Sequence, residues 1–459
     1  MKAHRICKSA VLGLVLGVLI SLFVVPMVIA GVTVTSINHS ENSHTSYWPE
    51  INGTQVVYSD DINGNYDIYL YDTVAKTTTQ LTHSTTGADA PNIDDQGGHK
   101  LVYTRNNGDS TTSIVLLDFT DPTNPVSTDL VSGLSDIHDD WGHIGRNRPD
   151  ISGNMVVYRS NSGRIYKIDL AAGAPYTPVQ ISPNGETCYR ATISGNYVTY
   201  HVNDADGSGH YGVVLYNMTS GSTIIISDVN YEAERPNIAG NVVVYNQYYD
   251  DGSGSAGDHV IMYDIATQVT KEVSAAGEDS WWANTDGEKI VYTRTDSVSN
   301  EQVFTYDIAT GKESMVSDDT VNGDPGFPAV SGNNVVFIDD QSSGDYEVYV
   351  STIAGPAFVN LPGSSTPINI TEGQVITSNP YIIQVLPTDT LGILRVEFYV
   401  DGVLIGTSTT PDANGVYSWP WDTSLYHSLV KVVAYNNVGL SIEITRNTTV
   451  ALELPYTGR

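Results

Sequence analysis

One segment of this chain is written seven times. The copies are "WPEINGTQVVY" at 48, "APNIDDQGGHKLVY" at 90, "RPDISGNMVVY" at 148, "RATISGNYVTY" at 190, "RPNIAGNVVVY" at 235, "WANTDGEKIVY" at 282 and "FPAVSGNNVVF" at 327. They close on Tyr58, Tyr103, Tyr158, Tyr200, Tyr245, Tyr292 and Phe337, at spacings of 45, 55, 42, 45, 47 and 45 residues. A period of about 20–50 residues marks units that bury their apolar faces only against neighbouring copies, so it constrains the architecture before anything else is read.

Each copy predicts four strands. A short one follows the Pro or Ala, and a "GN" or "DG" pair turns the chain, since such turns need positive φ. The "VVY" strand comes next, then a polar loop and a third strand such as "DIYLYD" or "HVIMYD". A β-branched fourth strand such as "TTTQLT" or "STIIIS" ends the unit. Four strands every 45 residues or so predict an all-β, seven-bladed β-propeller, with an open β-solenoid as the alternative. The seventh copy stops after its third strand, "YEVYVSTIAG", while "VTVTSINHS" at 32–40 resembles the fourth-strand string "TTTQLTHS" at 77–84. An N-terminal strand completing the last blade closes the ring and removes exposed edges. "PAFVNL" at 356–361 is a second candidate for that slot.

The string "NGTQVVYSDDINGNYDIYLYD" and its six counterparts resemble the TolB-like propeller repeats of prokaryotic cell-surface and surface-layer proteins. The resemblance implies the architecture and says little about activity, because propellers host many unrelated functions. After a propeller at 32–356 and a linker at 357–365, the pattern stops repeating. At 366–453 the strings "VEFYVDGVLIGT" and "WDTS…VVAYN" resemble bacterial Ig-like domains, and "YVDGVLIG" is a two-residue Asp-Gly hairpin. The Cys…Trp…Cys core of antibody domains is absent, which implies a sandwich without a disulfide.

Residues 1–30 carry Lys2, Arg5 and Lys8 ahead of an apolar run ending in "VIA", the pattern of a secretory signal; an uncleaved membrane anchor is the alternative. Either exports the rest. Removing three positive and no acidic charges takes the formal charge from −31 to −34. That acidity argues against nucleic acid as partner, since phosphates demand a basic face. Only Cys7 and Cys188 occur, so a cleaved chain keeps one and forms no internal disulfide. The tail at 454–459 contains Leu454, Pro455, Tyr456, Thr457 and Gly458, a sortase-like Leu-Pro-x-Thr-Gly pattern that would imply cell-wall attachment.

In a propeller, the residues just before each first strand ring the channel. Here they are Trp48, Ala90, Arg148, Arg190, Arg235, Trp282 and Phe327: three arginines in adjacent units and three large aromatics in units six, seven and one. As a site, Arg148, Arg190 and Arg235 offer charged forks for carboxylate or sulfate, while Trp48, Trp282 and Phe327 offer stacking platforms. The structural alternative is that the arginines neutralise acids such as Glu232, Glu234, Asp139 and Asp140. The long stretch "SDIHDDWGHIGRNR" at 135–148 places His138, Asp140 and His143 as metal candidates, although His-x4-His is not a strong ligand spacing. Asp204 and Asp206 in "DADGSG" hint at Ca²⁺, but Leu215 stands where a calcium loop needs a bidentate Glu; no other cofactor is implied. No serine lies in a G-x-S-x-G context, so a propeller-linked serine hydrolase is not expected.

These readings combine into an exported, non-enzymatic protein. Its propeller binds an extracellular glycan or an envelope protein, and the Ig-like domain serves as a spacer. A metal-dependent enzyme on acidic polysaccharide and a purely structural envelope component are the alternatives.

Overall fold

The computed structural model describes residues 32–37, 45–62, 64–135, 148–204, 207, 209–249, 257–274, 279–295, 301–317, 323–340, 345–353, 355–389, 392–424, 429–437 and 441–451. Apart from one 3-10 turn, Leu170–Ala172, the regular elements among these residues are strands. No helix among them is long and apolar enough to cross a membrane.

Each repeat forms one open antiparallel sheet of four strands. In the first, Ser46–Asn52, Gln55–Asp60, Asp67–Asp72 and Thr77–Gln80 follow one another as a meander. Five more sheets repeat this order, their first strands being Ala88–Ile93, Asp150–Ser152, Cys188–Ser194, Glu232–Ala239 and Ser280–Thr285. The seventh has three local strands, Gly326–Ser331, Asn334–Asp339 and Glu347–Ile353, and borrows Val32–Ser36 as its fourth. That N-terminal strand runs antiparallel to Glu347–Ile353, with Thr33 opposite Thr352. The rival segment goes elsewhere: Ala357–Phe358 pairs with Pro387–Thr388. First strands of successive sheets lie against each other, and Ser46–Asn52 touches both Ala88–Ile93 and Gly326–Ser331.

The closing aromatics explain why the sheets stack. All seven are buried, Tyr58, Tyr200, Tyr245 and Tyr292 completely. Four stack on the residue directly across the ladder: Tyr58 on Tyr69, Tyr158 on Tyr166, Tyr292 on Phe304 and Phe337 on Tyr349. Burying one such side chain is worth roughly 1.5–3 kcal/mol, and cross-strand aromatic pairs add to this.

The "SG" of the repeat has a second job. In five sheets the hairpin has two central residues, the first a glycine with φ between 52° and 60° (Gly53, Gly153, Gly195, Gly240, Gly332). Positive φ at the first central position only is the type II′ signature. The N–H groups of four of these glycines donate to the preceding sheet's corresponding turn: Gly153 to Asp94 Oδ1 at 2.7 Å, Gly195 to Ser152 Oγ at 3.0 Å, Gly240 to Ser194 Oγ at 3.0 Å and Gly332 to Asp286 Oδ2 at 2.9 Å. Gly53, in the first sheet, donates in the same way to Ser331 Oγ of the seventh, at 2.9 Å.

One feature departs from expectation. Six of the first strands begin before the Pro or Ala, not after it, and bulge there; the third, Asp150–Ser152, begins after Pro149 as expected. In the first sheet Tyr47 faces Ser59 and Glu50 faces Val57, so one extra residue is accommodated. The same irregularity recurs at 89/92, 189/192, 234/237, 281/284 and 326/329. The bulged residue is left-handed each time: Trp48, Ala90, Arg190, Arg235, Trp282 and Phe327 have φ of 42–58°. Proline cannot donate to a ladder, and a bulge absorbs the gap while re-aiming the neighbouring side chain.

Beyond residue 356, Gln374–Ile376, Ser441–Val450, Leu429–Asn436, Ile393–Val400 and Val403–Ser408 form one sheet, and Tyr381–Val385 pairs with Tyr417–Trp421. Trp421, Phe398, Ile383, Val385, Val396, Val430 and Val432 form its core without exposure. The Asp-Gly hairpin is present as expected, with Asp401 and Gly402 at φ 48° and 79°.

Candidate functional site

The bulges bring five of the rim candidates, Trp48, Arg190, Arg235, Trp282 and Phe327, into one cluster, which Arg148, just ahead of the third sheet's first strand, joins. Phe327 lies between Trp48 and Trp282, with ring centroids 4.4 and 4.3 Å away. Arg148 lies over Trp48 at 5.2 Å, and Arg235 and Arg190 lie over Trp282 at 4.1 and 5.8 Å. The arginines therefore meet aromatic faces, an attractive arrangement in a desolvated place. They also meet acids. Arg148 is ion-paired with Glu50 and donates to the Pro91 carbonyl at 3.3 Å, and Arg235 pairs with Glu234 at 3.1 Å. Of the acids named from the sequence, Glu234 takes this part, whereas Glu232 accepts from the Tyr211 N–H at 2.6 Å. Desolvation, then repulsion from Arg148 and Arg235, pushes the Arg190 guanidinium down to about 9. Burial, then repulsion from Arg190, Arg235 and Arg159, holds His201 down to about 3, so that imidazole is neutral.

This cluster is largely spent on itself. Trp48 is 4% exposed and the Arg148 side chain 9%, leaving little of either for a ligand. What opens beside the cluster is a cavity of about 320 Å³ across sheets one, five, six and seven. Its walls include Tyr47, Trp281, Trp282, Phe327 and Tyr346, and its polar groups are Arg235, Asp258, Glu301 and Asp324. Three carboxyl groups thus face one guanidinium that already has Glu234. Tyr346 donates to Asp324 Oδ2 at 3.0 Å, and Asp279 Oδ1 accepts the Asp258 N–H at 2.6 Å. Burial, then the adjoining Asp324 and Asp279, raises Glu301 to about 8. Burial, then Glu234 and Asp279, raises Asp258 to about 6 against the opposing pull of Arg235.

Sequence reasoning reached Trp282, Phe327 and Arg235 of this cavity and missed the rest. Tyr47 and Trp281 are the residues immediately before the bulge, a position that the expected strand start excluded. Asp258 and Glu301 sit at the beginning of third strands, opposite Tyr248 and Thr295.

The metal candidates His138, Asp140, His143 and Asp206, with Asp139, lie outside the described residues, as do the export segment and Leu454–Gly458. Asp204 is left-handed at φ 59°, and its Oδ1 accepts the Gly209 N–H at 2.7 Å, closing its own turn. Among the described residues no three His, Cys, Asp or Glu side chains are grouped to hold a metal ion.

Comparison with known proteins divides the chain. Residues 368–450 match the family model described as bacterial Ig domain. This part is a bacterial Ig domain. For the preceding sheets, the fold matches the β-propeller domain of the trilobed protease from Pyrococcus furiosus at a TM-score of 0.51 and 11% identity, covering 67% of this chain and 95% of that one. An oligogalacturonate lyase in complex with manganese matches at a TM-score of 0.50 and 12% identity, covering 71% and 94%. A TolB from Agrobacterium tumefaciens also matches, with a TM-score of 0.36, 15% identity and coverage of 70% and 94%. No curated protein matches the sequence. The chain therefore joins a propeller-type all-β fold to a bacterial Ig domain. At such identities the structural likeness speaks to fold alone, and neighbours of this fold include enzymes.

Proposed function

We propose that this is an exported cell-surface protein whose seven sheets are the blades of a propeller, closed by the N-terminal strand, and whose channel mouth binds a glycan. The Ig domain acts as spacer. Closure is supported by the Val32–Ser36 pairing and by the Gly53–Ser331 hydrogen bond, which repeats between the first and last sheets the link found between interior ones. The observation that carries the binding role is the 320 Å³ cavity with five aromatic side chains and convergent polar groups. Ligand sites are typically clefts of about 300–1,000 Å³ walled by apolar and aromatic groups with a few placed polar ones. Aromatic faces suit the flat C–H faces of sugar rings, and carboxylates suit their hydroxyls.

The contact surface differs from the one expected of the sequence. Trp282, Phe327 and Arg235 line the cavity, joined by Tyr47, Trp281 and Tyr346, while Trp48 packs on Phe327, Arg148 on Trp48 and Arg190 on Trp282 without lining it. The test is a glycan array probed with wild-type chain and Trp281→Ala. The account predicts a discrete set of bound glycans, with at least a tenfold loss in the variant. No bound glycan, or binding indifferent to Trp281, overturns it. The enzymatic alternative depends on His138 and His143, and stoichiometric metal lost in the His138→Ala/His143→Ala variant would favour it.

A further inference from the structure

The cavity's charge is opposite in sign to that of the rim as the sequence presents it. Of the arginines that would recognise an acidic glycan, Arg148 is paired with Glu50 and Arg235 with Glu234 and the Trp282 face, while Arg190 is buried against Trp282 and is not among the cavity's lining residues. What faces the open volume is Asp258, Glu301 and Asp324, within reach of Trp281, Trp282, Tyr47, Phe327 and Tyr346. Asp324 is exposed, so the acidic side of the cavity reaches solvent.

We propose that the cavity takes an amino sugar bearing a free ammonium group, the aromatic walls stacking on the ring and Asp258, Glu301 and Asp324 receiving the cation. This rests on the glycan-binding reading above and names the class of glycan. Carboxylate and aromatic groups together make the environment that organic ammonium ions prefer, through charged hydrogen bonds and the negative faces of the rings. A volume of about 320 Å³ is at the small end of ligand sites and suits one sugar unit. The crowding of Glu301 by Asp324 and Asp279, and of Asp258 by Glu234 and Asp279, is the strain that such a cation relieves. Among the described lining residues Arg235 is the one cationic side chain, and it lies over the Trp282 ring.

The test is calorimetric titration of the full chain at about pH 6, below the range in which amines lose their proton. The probes are a glucosamine tetramer, its N-acetylated counterpart, a tetragalacturonate and a lysine-rich peptide. The glucosamine tetramer is expected to bind at least tenfold more tightly than the N-acetylated one, with no heat from tetragalacturonate. Asp324→Asn is expected to weaken it about tenfold, and Glu301→Gln, at a carboxyl that holds its own proton at this pH, by less; the exposed Asp324 keeps the test valid if the Glu301 variant misfolds. Equal binding of both amino-sugar tetramers, or preference for tetragalacturonate, overturns the ammonium while leaving a glycan site in place. Binding of the peptide alone overturns the sugar as occupant. No binding of any tetramer together with a blank array removes the glycan reading itself.

Discussion

Gly406 lies so close under the Trp419 indole that a Cβ built on it would stand 1.7 Å from the ring. The string "LIGT" was legible as the return strand of a hairpin, but nothing local says that a ring from another strand covers its glycine. Trp419 is fixed there by its Nε1–H, which donates to the Ile405 carbonyl at 2.9 Å. Gly406→Ala is therefore expected to cost about 1–3 kcal/mol, the range for overpacking a filled site. A lower urea midpoint for the C-terminal part would show it, and an unchanged midpoint would contradict the packing described. Glu301 supplies a prediction of a different kind. Its carboxyl titrates at about 8 in the folded chain, against about 4.3 for an ordinary glutamate. The folded state thus keeps a proton that the unfolded state releases, and stability falls as pH rises between those values. Unfolding measured across that window should be flatter for Glu301→Gln than for wild type; identical slopes would show that Glu301 is not buried among acids.

At the level of elements, the four-strand unit was readable because its apolar strands, its Gly turns and its closing aromatic all recur. The bulge was not. "WP", "RA" and "FP" look like strand starts, since proline and alanine interrupt an apolar alternation. Only the pairing of Tyr47, Tyr189 or Trp281 with the next strand shows the ladder running through them. The acids of the cavity were hidden for a related reason: Asp258 and Glu301 hold equivalent places in the fifth and sixth repeats, opposite Tyr248 and Thr295, but Asp324 precedes the seventh repeat's first strand, and sheet geometry alone brings the three together. The turn links allow a direct comparison between elements. Ser152→Ala removes the acceptor for Gly195 between two interior sheets, and Ser331→Ala removes the acceptor for Gly53 between the seventh and the first. Each should cost about 0.5–1.5 kcal/mol, the usual net worth of a hydrogen bond. Equal losses in thermal unfolding support a uniform set of contacts, whereas a silent Ser331→Ala would mark the last contact as unmade.

For the whole molecule, the decisive place is the seam between the first and seventh sheets. The cavity straddles it, with Tyr47 on one side and Phe327 and Tyr346 on the other, and Tyr47 lies 5.6 Å from Tyr346. Without a closed seam the aromatic walls separate and the acids face open solvent. The N-terminal strand was legible as the fourth strand of the seventh sheet because "VTVTS" has the β-branched character of the other fourth strands. The choice between it and "PAFVNL" needed the three-dimensional pairing. Closure can be read covalently. Thr33 and Thr352 are direct partners across the final ladder, so a Thr33→Cys/Thr352→Cys chain, oxidised when dilute and mapped by peptide mass spectrometry, should form one intramolecular disulfide in a monomer. A chain that stays reduced, or that links only to a second copy, would contradict a ring closed by its own N-terminal strand.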